Sequence, residues 1–343
     1  MGTIDDRIKF SIGSWQLSKD LGEFDYPRGL AFDVRQGLLF VADYCNHRVQ
    51  VFSSNDGSFV RSFGVLGAQQ GCVRNPWGVA IDHEHERVLV SDSTNNRLTW
   101  WSLRTQSWLD VQEHSIELRM PLGVAIDEHY RRVLVVDSHN QRLAVLSAGD
   151  LSFLFSVGER VGQPFGDLAS PSGLAIDYDR HRIIMVDTNN HRLLVLSLFE
   201  GSFLFEFGSR GTEPGEFLFP RSVCIDNQGR IIVVDTNNYR LQAFTPEGHH
   251  ISVFPCNLEK PCGVAFDEHR GLIAFSAGHR VHVIGANQWL ADTFTWRPNL
   301  HRYAPSWMKH AIVTMTMIRS LIDGSSAMSM IPNELLFEIF SHL

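Results

Sequence analysis

"VADYCNHRV" (residues 41–49) returns along the chain as "VSDSTNNRL" (90–98), "VVDSHNQRL" (135–143), "MVDTNNHRL" (185–193) and "VVDTNNYRL" (233–241). Each copy ends an apolar run in Asp, places Asn three positions later and Arg five later, and then resumes with an aliphatic residue. Upstream of each copy stands P-x-G or a near variant, opening at Pro27, Pro76, Pro121, Pro171, Pro220 and Pro261, 41 to 50 residues apart. Self-similarity at such a period marks an array of small stacked units. Every unit reads alike: P-x-G, a short apolar run closing on Asp ("LAFD", "VAID", "LAID", "VCID"), a polar turn, a second run into the motif, and a third after the Arg. A fourth usually follows, as in "SFLFEFG" (202–208). Short runs rich in Val, Ile, Leu and Phe, bounded by Gly, Asp and Asn, are strands rather than helices.

Four strands per unit and six units predict an all-β fold, a six-bladed β-propeller spanning 8–286, whose innermost strands are apolar because both faces are buried. The last unit holds three strands, and "IKFSIGS" (8–14) reads as the missing fourth. Residues 8–14 are therefore expected to complete blade six and leave no open edge.

The motif falls where the second strand turns into the third. Asn46, Asn95, Asn140, Asn190 and Asn238 suit left-handed backbone. The pairs Asp43–Arg48, Asp92–Arg97, Asp137–Arg142, Asp187–Arg192 and Asp235–Arg240 are expected to fix the turn as charge-assisted hydrogen bonds. The sixth unit, "AFSAGHRV", has Arg280 but neither Asp nor Asn, so a looser turn is expected there. The D-x-x-N-x-R pattern, spelled "NHRV" at 46–49 and "NHRL" at 190–193, resembles the NHL-repeat family of six-bladed propellers over roughly residues 20–286. That resemblance implies a platform for RNA or protein, with catalysis confined to a zinc-dependent amidating lyase branch.

In a four-stranded meander the loop into strand one and the loop between strands two and three share a face. On it fall the P-x-G variable residues Arg28, Trp77, Leu122, Ser172, Arg221 and Cys262, and the hairpin residues Tyr44, His47, Asn96, His139, His191 and Tyr239. Of these, Arg28, Tyr44, His47, Trp77, His139, His191, Arg221 and Tyr239 are the candidate partner-binding residues, since aromatic and Arg side chains on a rigid scaffold make binding hot spots.

Composition narrows the chemistry. The 343 residues carry a formal net charge of −8 and only four lysines (Lys9, Lys19, Lys260, Lys309), which speaks against RNA, although Arg28 and Arg221 leave it the alternative reading. The first strands of the units contain no histidine that could hold the lyase zinc. The Asp residues closing those strands (Asp33, Asp82, Asp127, Asp177, Asp226, Asp267) read as turn openers rather than a cation ring. No nucleophile elbow, P-loop or zincin motif occurs, so no enzyme, cofactor or metal is expected. Five cysteines without a C-x-x-C pair, and no signal peptide or membrane span, predict reduced thiols and a cytoplasmic location.

After residue 286 the repeat stops. Residues 287–305 read as a connector and 306–343 as two helices. The second resembles the opening of an F-box through Pro332, Glu334, Leu335, Ile339, Phe340 and Leu343, and less closely a suppressor-of-cytokine-signalling box, in which a helix with an internal Arg precedes a Pro-led helix; the alternative is a tail folded back on the propeller. The resemblance implies docking of Pro332, Leu335, Leu336, Ile339 and Phe340 on a ubiquitin-ligase scaffold subunit, and so a substrate-recruiting adaptor.

Overall fold

The computed structural model describes residues 7–109, 116–158, 166–256 and 259–291. Blade one is β2 (Pro27–Asp33), β3 (Leu38–Asp43), β4 (Arg48–Ser53) and β5 (Phe59–Phe63), preceded by β1 (Ile8–Ile12). Blade two is β6 (Pro76–Asp82), β7 (Arg87–Asp92), β8 (Arg97–Ser102) and β9 (Trp108–Leu109). Blade three is β10 (Pro121–Asp127), β11 (Arg132–Asp137), β12 (Arg142–Ser147) and β13 (Phe153–Val157). Blade four is β14 (Pro171–Asp177), β15 (Arg182–Asp187), β16 (Arg192–Ser197) and β17 (Phe203–Phe207). Blade five is β18 (Pro220–Ile225), β19 (Ile231–Asp235), β20 (Arg240–Phe244) and β21 (His250–Pro255). Blade six takes β22 (Pro261–Asp267), β23 (Leu272–Ala277) and β24 (Arg280–Gly285), and its fourth strand is β1.

The chain is thus an all-β, six-bladed propeller of four-stranded antiparallel sheets. Closure runs Ile8↔Ile284, Phe10↔Val283, Ser11↔His282 and Ile12↔Val281, and Ser11 Oγ meets His282 Nδ1 at 2.7 Å. Each hydrophobic core is shared by two neighbouring blades: Phe40 and Val49 of blade one pack with Val88 and Trp101 of blade two. No blade encloses its own core, which is why the period must repeat around a ring.

The P-x-G signature has a steric cause. A Cβ on Gly29, Gly78, Gly123 or Gly173 would stand 2.4 to 2.7 Å from the carbonyl oxygen of the next blade's variable residue. On Gly263 it would stand 1.9 Å from Arg28 O, across the closing seam. The blades approach too closely at the axis for any side chain there except at Ser222, whose Oγ accepts from Val264 N at 3.3 Å.

Three expectations are corrected. The motif Asn is not the left-handed residue: residues 44–46 and their equivalents form a 3-10 turn, and the residue after the Asn takes φ of 53 to 56° (His47, Asn96, Gln141, His191, Tyr239). The sixth turn is tighter, not looser, with Ala277 opposite Arg280 across Gly278 (φ 58°) and His279. Without an Asp to anchor a four-residue turn, glycine closes the hairpin in two. The connector begins as a helix, α1 (Ala286–Ala291), because Trp289 is driven under blades five and six, against Phe254, with its indole N–H on Ser252 Oγ at 3.1 Å. Residues 292–343, with the F-box-like segment, lie outside the described residues.

Candidate functional site

The motif residues do more than fix their own turn. In blade one Asp43 Oδ2 accepts from Arg48 Nε (2.8 Å), Asn46 Nδ2 (2.9 Å) and Gln50 Nε2 (3.0 Å), and Oδ1 accepts from Asp25 N (2.8 Å). The remaining donors reach the loop that enters the blade: Asn46 to Ser18 O, and Arg48 to Lys19 O, Asp20 O and Glu23 O. Blade two repeats the arrangement, with Arg97 on Asp92, Ala68 O and Cys72 O, and blade five does so with Arg240 on Asp235, Thr212 O, Glu213 O and Glu216 O. Arg142 and Arg192 hold Asp137 and Asp187 at 2.7 and 2.9 Å. Each cluster straps the incoming loop to the blade. Burial pulls the Asp43 and Asp92 carboxyls upward against all these donors. The straps are therefore costly to desolvate, and their return is a fixed loop rather than net stability.

Two buried glutamines in this network, Gln50 and Gln242, were not singled out by sequence reasoning. Their signal was legible: each stands seven residues after its Asp, donates to it at 3.0 Å, and accepts from the loop at Gly22 N or Gly215 N.

A second Asp set works at the opposite ends of the strands. Asp33 Oδ1 accepts from Arg35 N and Gln36 N, an Asx turn, and Asp127 Oδ2 holds Arg132, which crosses to Leu198 O and Phe199 O of the next blade. Among the described residues no group of His, Cys, Asp or Glu side chains is placed to hold a metal ion.

At the axis the ladder between the first two strands is interrupted by a bulge between the Pro and the residue after the Gly in blades one to four and six, and between Pro220 and Ser222 in blade five. The bulge takes the variable residue out of the ladder and onto the channel mouth. There Trp77 is the hub. The Arg28 guanidinium lies 4.8 Å from its ring centre and 5.2 Å from that of Tyr44, and Arg221, from blade five, lies 5.7 Å from Trp77. Tyr44 meets Trp77 edge-on at 5.7 Å, and Arg28 Nη1 donates to Cys262 Sγ at 2.7 Å. The mouth encloses about 70 Å3, lined by Trp77, Arg221, Cys262 and the backbone of the axial glycines. Burial first, then the positive charge of Arg28, lowers the Arg221 pKa.

The other predicted contacts divide. Tyr239 and His139 are exposed on the same face. His191 is a correction: it is buried, its Nδ1 accepts from Phe219 N at 3.0 Å, and its ring packs on Phe219. His47 is half-buried and serves in the same way, accepting from Asn75 N at 3.1 Å. Leu122 and Ser172 are likewise buried, the latter bonded to Arg221 O. What the repeat pattern did not single out is the rim. Trp15, Leu17, Leu21 and Tyr26, on the strapped loop before Pro27, and Val65 and Leu66, on the equivalent loop before Pro76, are exposed.

With this geometry in hand, comparison places the architecture. The family model for the NHL repeat matches residues 24–52 and 217–244. "RING finger protein nhl-1" of Caenorhabditis elegans is 44% identical over 71 residues, 21% of this chain and 7% of that protein, so the match spans a small part of the relative's length. Solved structures share the fold. The nidogen/laminin complex superposes with a TM-score of 0.54 at 16% identity, covering 67% of this chain and 80% of that one. XC5397 of Xanthomonas campestris, described as a gluconolactonase, superposes at 0.59 and 14% identity, covering 76% and 86%. Two segments, in blades one and five, thus match the NHL repeat, and the chain folds as a six-bladed propeller.

Proposed function

We propose that the P-x-G face of this propeller binds a segment of another protein and catalyses nothing. One observation carries the reading: exposed Trp15, Leu17, Leu21, Tyr26, Val65 and Leu66 stand on the strapped loops that enter blades one and two, the blades that carry Arg28 and Trp77. Apolar and aromatic side chains on a held scaffold bind without a large ordering cost. The test is affinity selection of random linear peptides on the full chain, followed by titration of a selected peptide against a Trp15→Ala, Leu17→Ala, Leu21→Ala variant. A loss of at least about tenfold supports the face; an unchanged affinity overturns it. Polyuridylate binding that falls steeply with salt, without peptide binding, would favour RNA. The sequence of residues 332–343 extends the proposal to a ubiquitin-ligase adaptor. Recovery of ligase scaffold subunits by the full chain, lost on truncation after residue 300, tests that extension separately. Among the described residues no helix is long and apolar enough to cross a membrane.

A further inference from the structure

The structure points, we propose, to a carboxylate receptor at the channel mouth: Arg28 and Arg221, both held against Trp77, take one carboxylate of the peptide bound on this face. The inference rests on the peptide-binding reading and names what that peptide must carry.

The arginines that follow the strand-closing aspartates are matched to acids: Arg48, Arg87, Arg97, Arg132, Arg182 and Arg240 each hold an Asp within 2.6 to 2.8 Å. Arg28 and Arg221 have no carboxylate among the described residues. Arg28 gives one N–H to Cys262 Sγ, and the Nε of both arginines is buried without an acceptor. Two like charges from different blades are brought to one indole ring, with donors out of water and unmet. A planar anion with two oxygens would accept from the guanidiniums and cancel their repulsion, and removal from bulk water strengthens such bonds. The depressed pKa of Arg221 is the same repulsion and desolvation seen from the protein side.

Size and charge select among anions. The space of about 70 Å3 beside Arg221, Trp77 and Cys262 holds roughly five waters at 10–15 Å3 each, enough for a carboxylate on a short stem, and Arg28 reaches it from across the Trp77 ring. The chain's formal net charge of −8 repels a polyanion at long range, whereas one carboxylate seated in the mouth feels chiefly the two arginines beside it.

The experiment uses the full chain and a random heptapeptide display library. Selected peptides are expected to share an Asp or Glu beside apolar residues, or a free carboxyl terminus. The strongest binder is then resynthesised in three forms: native, with its acid changed to the amide (Glu→Gln or Asp→Asn), and with an amidated terminus. Loss of at least about tenfold in the side-chain amide form, or in the terminal amide form, supports the receptor and identifies which carboxylate it takes. Arg28→Gln and Arg221→Gln are expected to abolish that preference, and Arg221→Lys to restore it only in part. Because the peptide amides are read on the unaltered protein, misfolding of an arginine variant cannot hide the answer. Peptides that bind equally in acid and amide forms overturn the receptor while leaving the binding face intact. Failure of every peptide overturns both readings.

Discussion

At the scale of single residues, the axial glycine shows how a one-letter signature encodes a distance. A Cβ at Gly263 would overlap Arg28 O across the seam, and both positions are backbone that cannot swing away. Gly263→Ala is expected to cost about 3 kcal/mol, the upper end of overpacking, read as a lowered midpoint in urea. The imidazoles of buried His191 and half-buried His47 predict a pH dependence. Burial first, and a nearby arginine second (Arg74 for His47, Arg210 for His191), hold both pKa values below the ordinary one. The folded state therefore binds fewer protons than the unfolded chain. Stability from these groups is complete above about pH 6.5 and falls as the pH drops through that value toward the depressed folded pKa. Thermal melts should show Tm declining below about pH 6.5, more gently in His47→Gln/His191→Gln. The spacing located these histidines on the right face but could not reveal that Nδ1 is already taken by the amide of Asn75 or Phe219. Arg28, Trp77 and Arg221 were legible as mouth residues; their meeting on one ring needed coordinates, since they come from three different blades.

At the scale of the element, the recurring Asp, Asn and Arg are a strap for the loop that enters each blade. Arg97→Ala would remove the cation paired with fully buried Asp92, leaving it only Asn95 Nδ2 and Arg74 N, and release Ala68 O and Cys72 O. A loss of about 3 kcal/mol is expected, most of it recovered when Asp92→Asn is added, because the penalty lies in the unpaired buried charge. Hydrogen exchange should quicken in residues 66–74 in both variants, since neither restores the bonds to the loop. Strand number, strand order and turn position were all readable from the period. The target of the strap was not, because its partners are main-chain carbonyls, which carry no letter. The sixth hairpin shows the converse: the missing Asp was visible, but its consequence depended on Gly278, and the chain shortened the turn instead of loosening it.

At the scale of the molecule, closure by β1 was legible from a deficit of one strand at one end and a surplus at the other. Ser11 and His282, 271 residues apart, meet at the seam. Deleting residues 1–14 should expose the edge of β24, abolish the single cooperative melt and produce soluble aggregates by size-exclusion chromatography. The clasp also sets an order of events during synthesis. The first strand leaves the ribosome with no partner and must wait until Arg280–Gly285 has emerged, while five sheets accumulate as an unfinished arc with sticky flanks at both ends. A nascent chain stalled shortly before residue 280 should therefore be the species that chaperones hold longest.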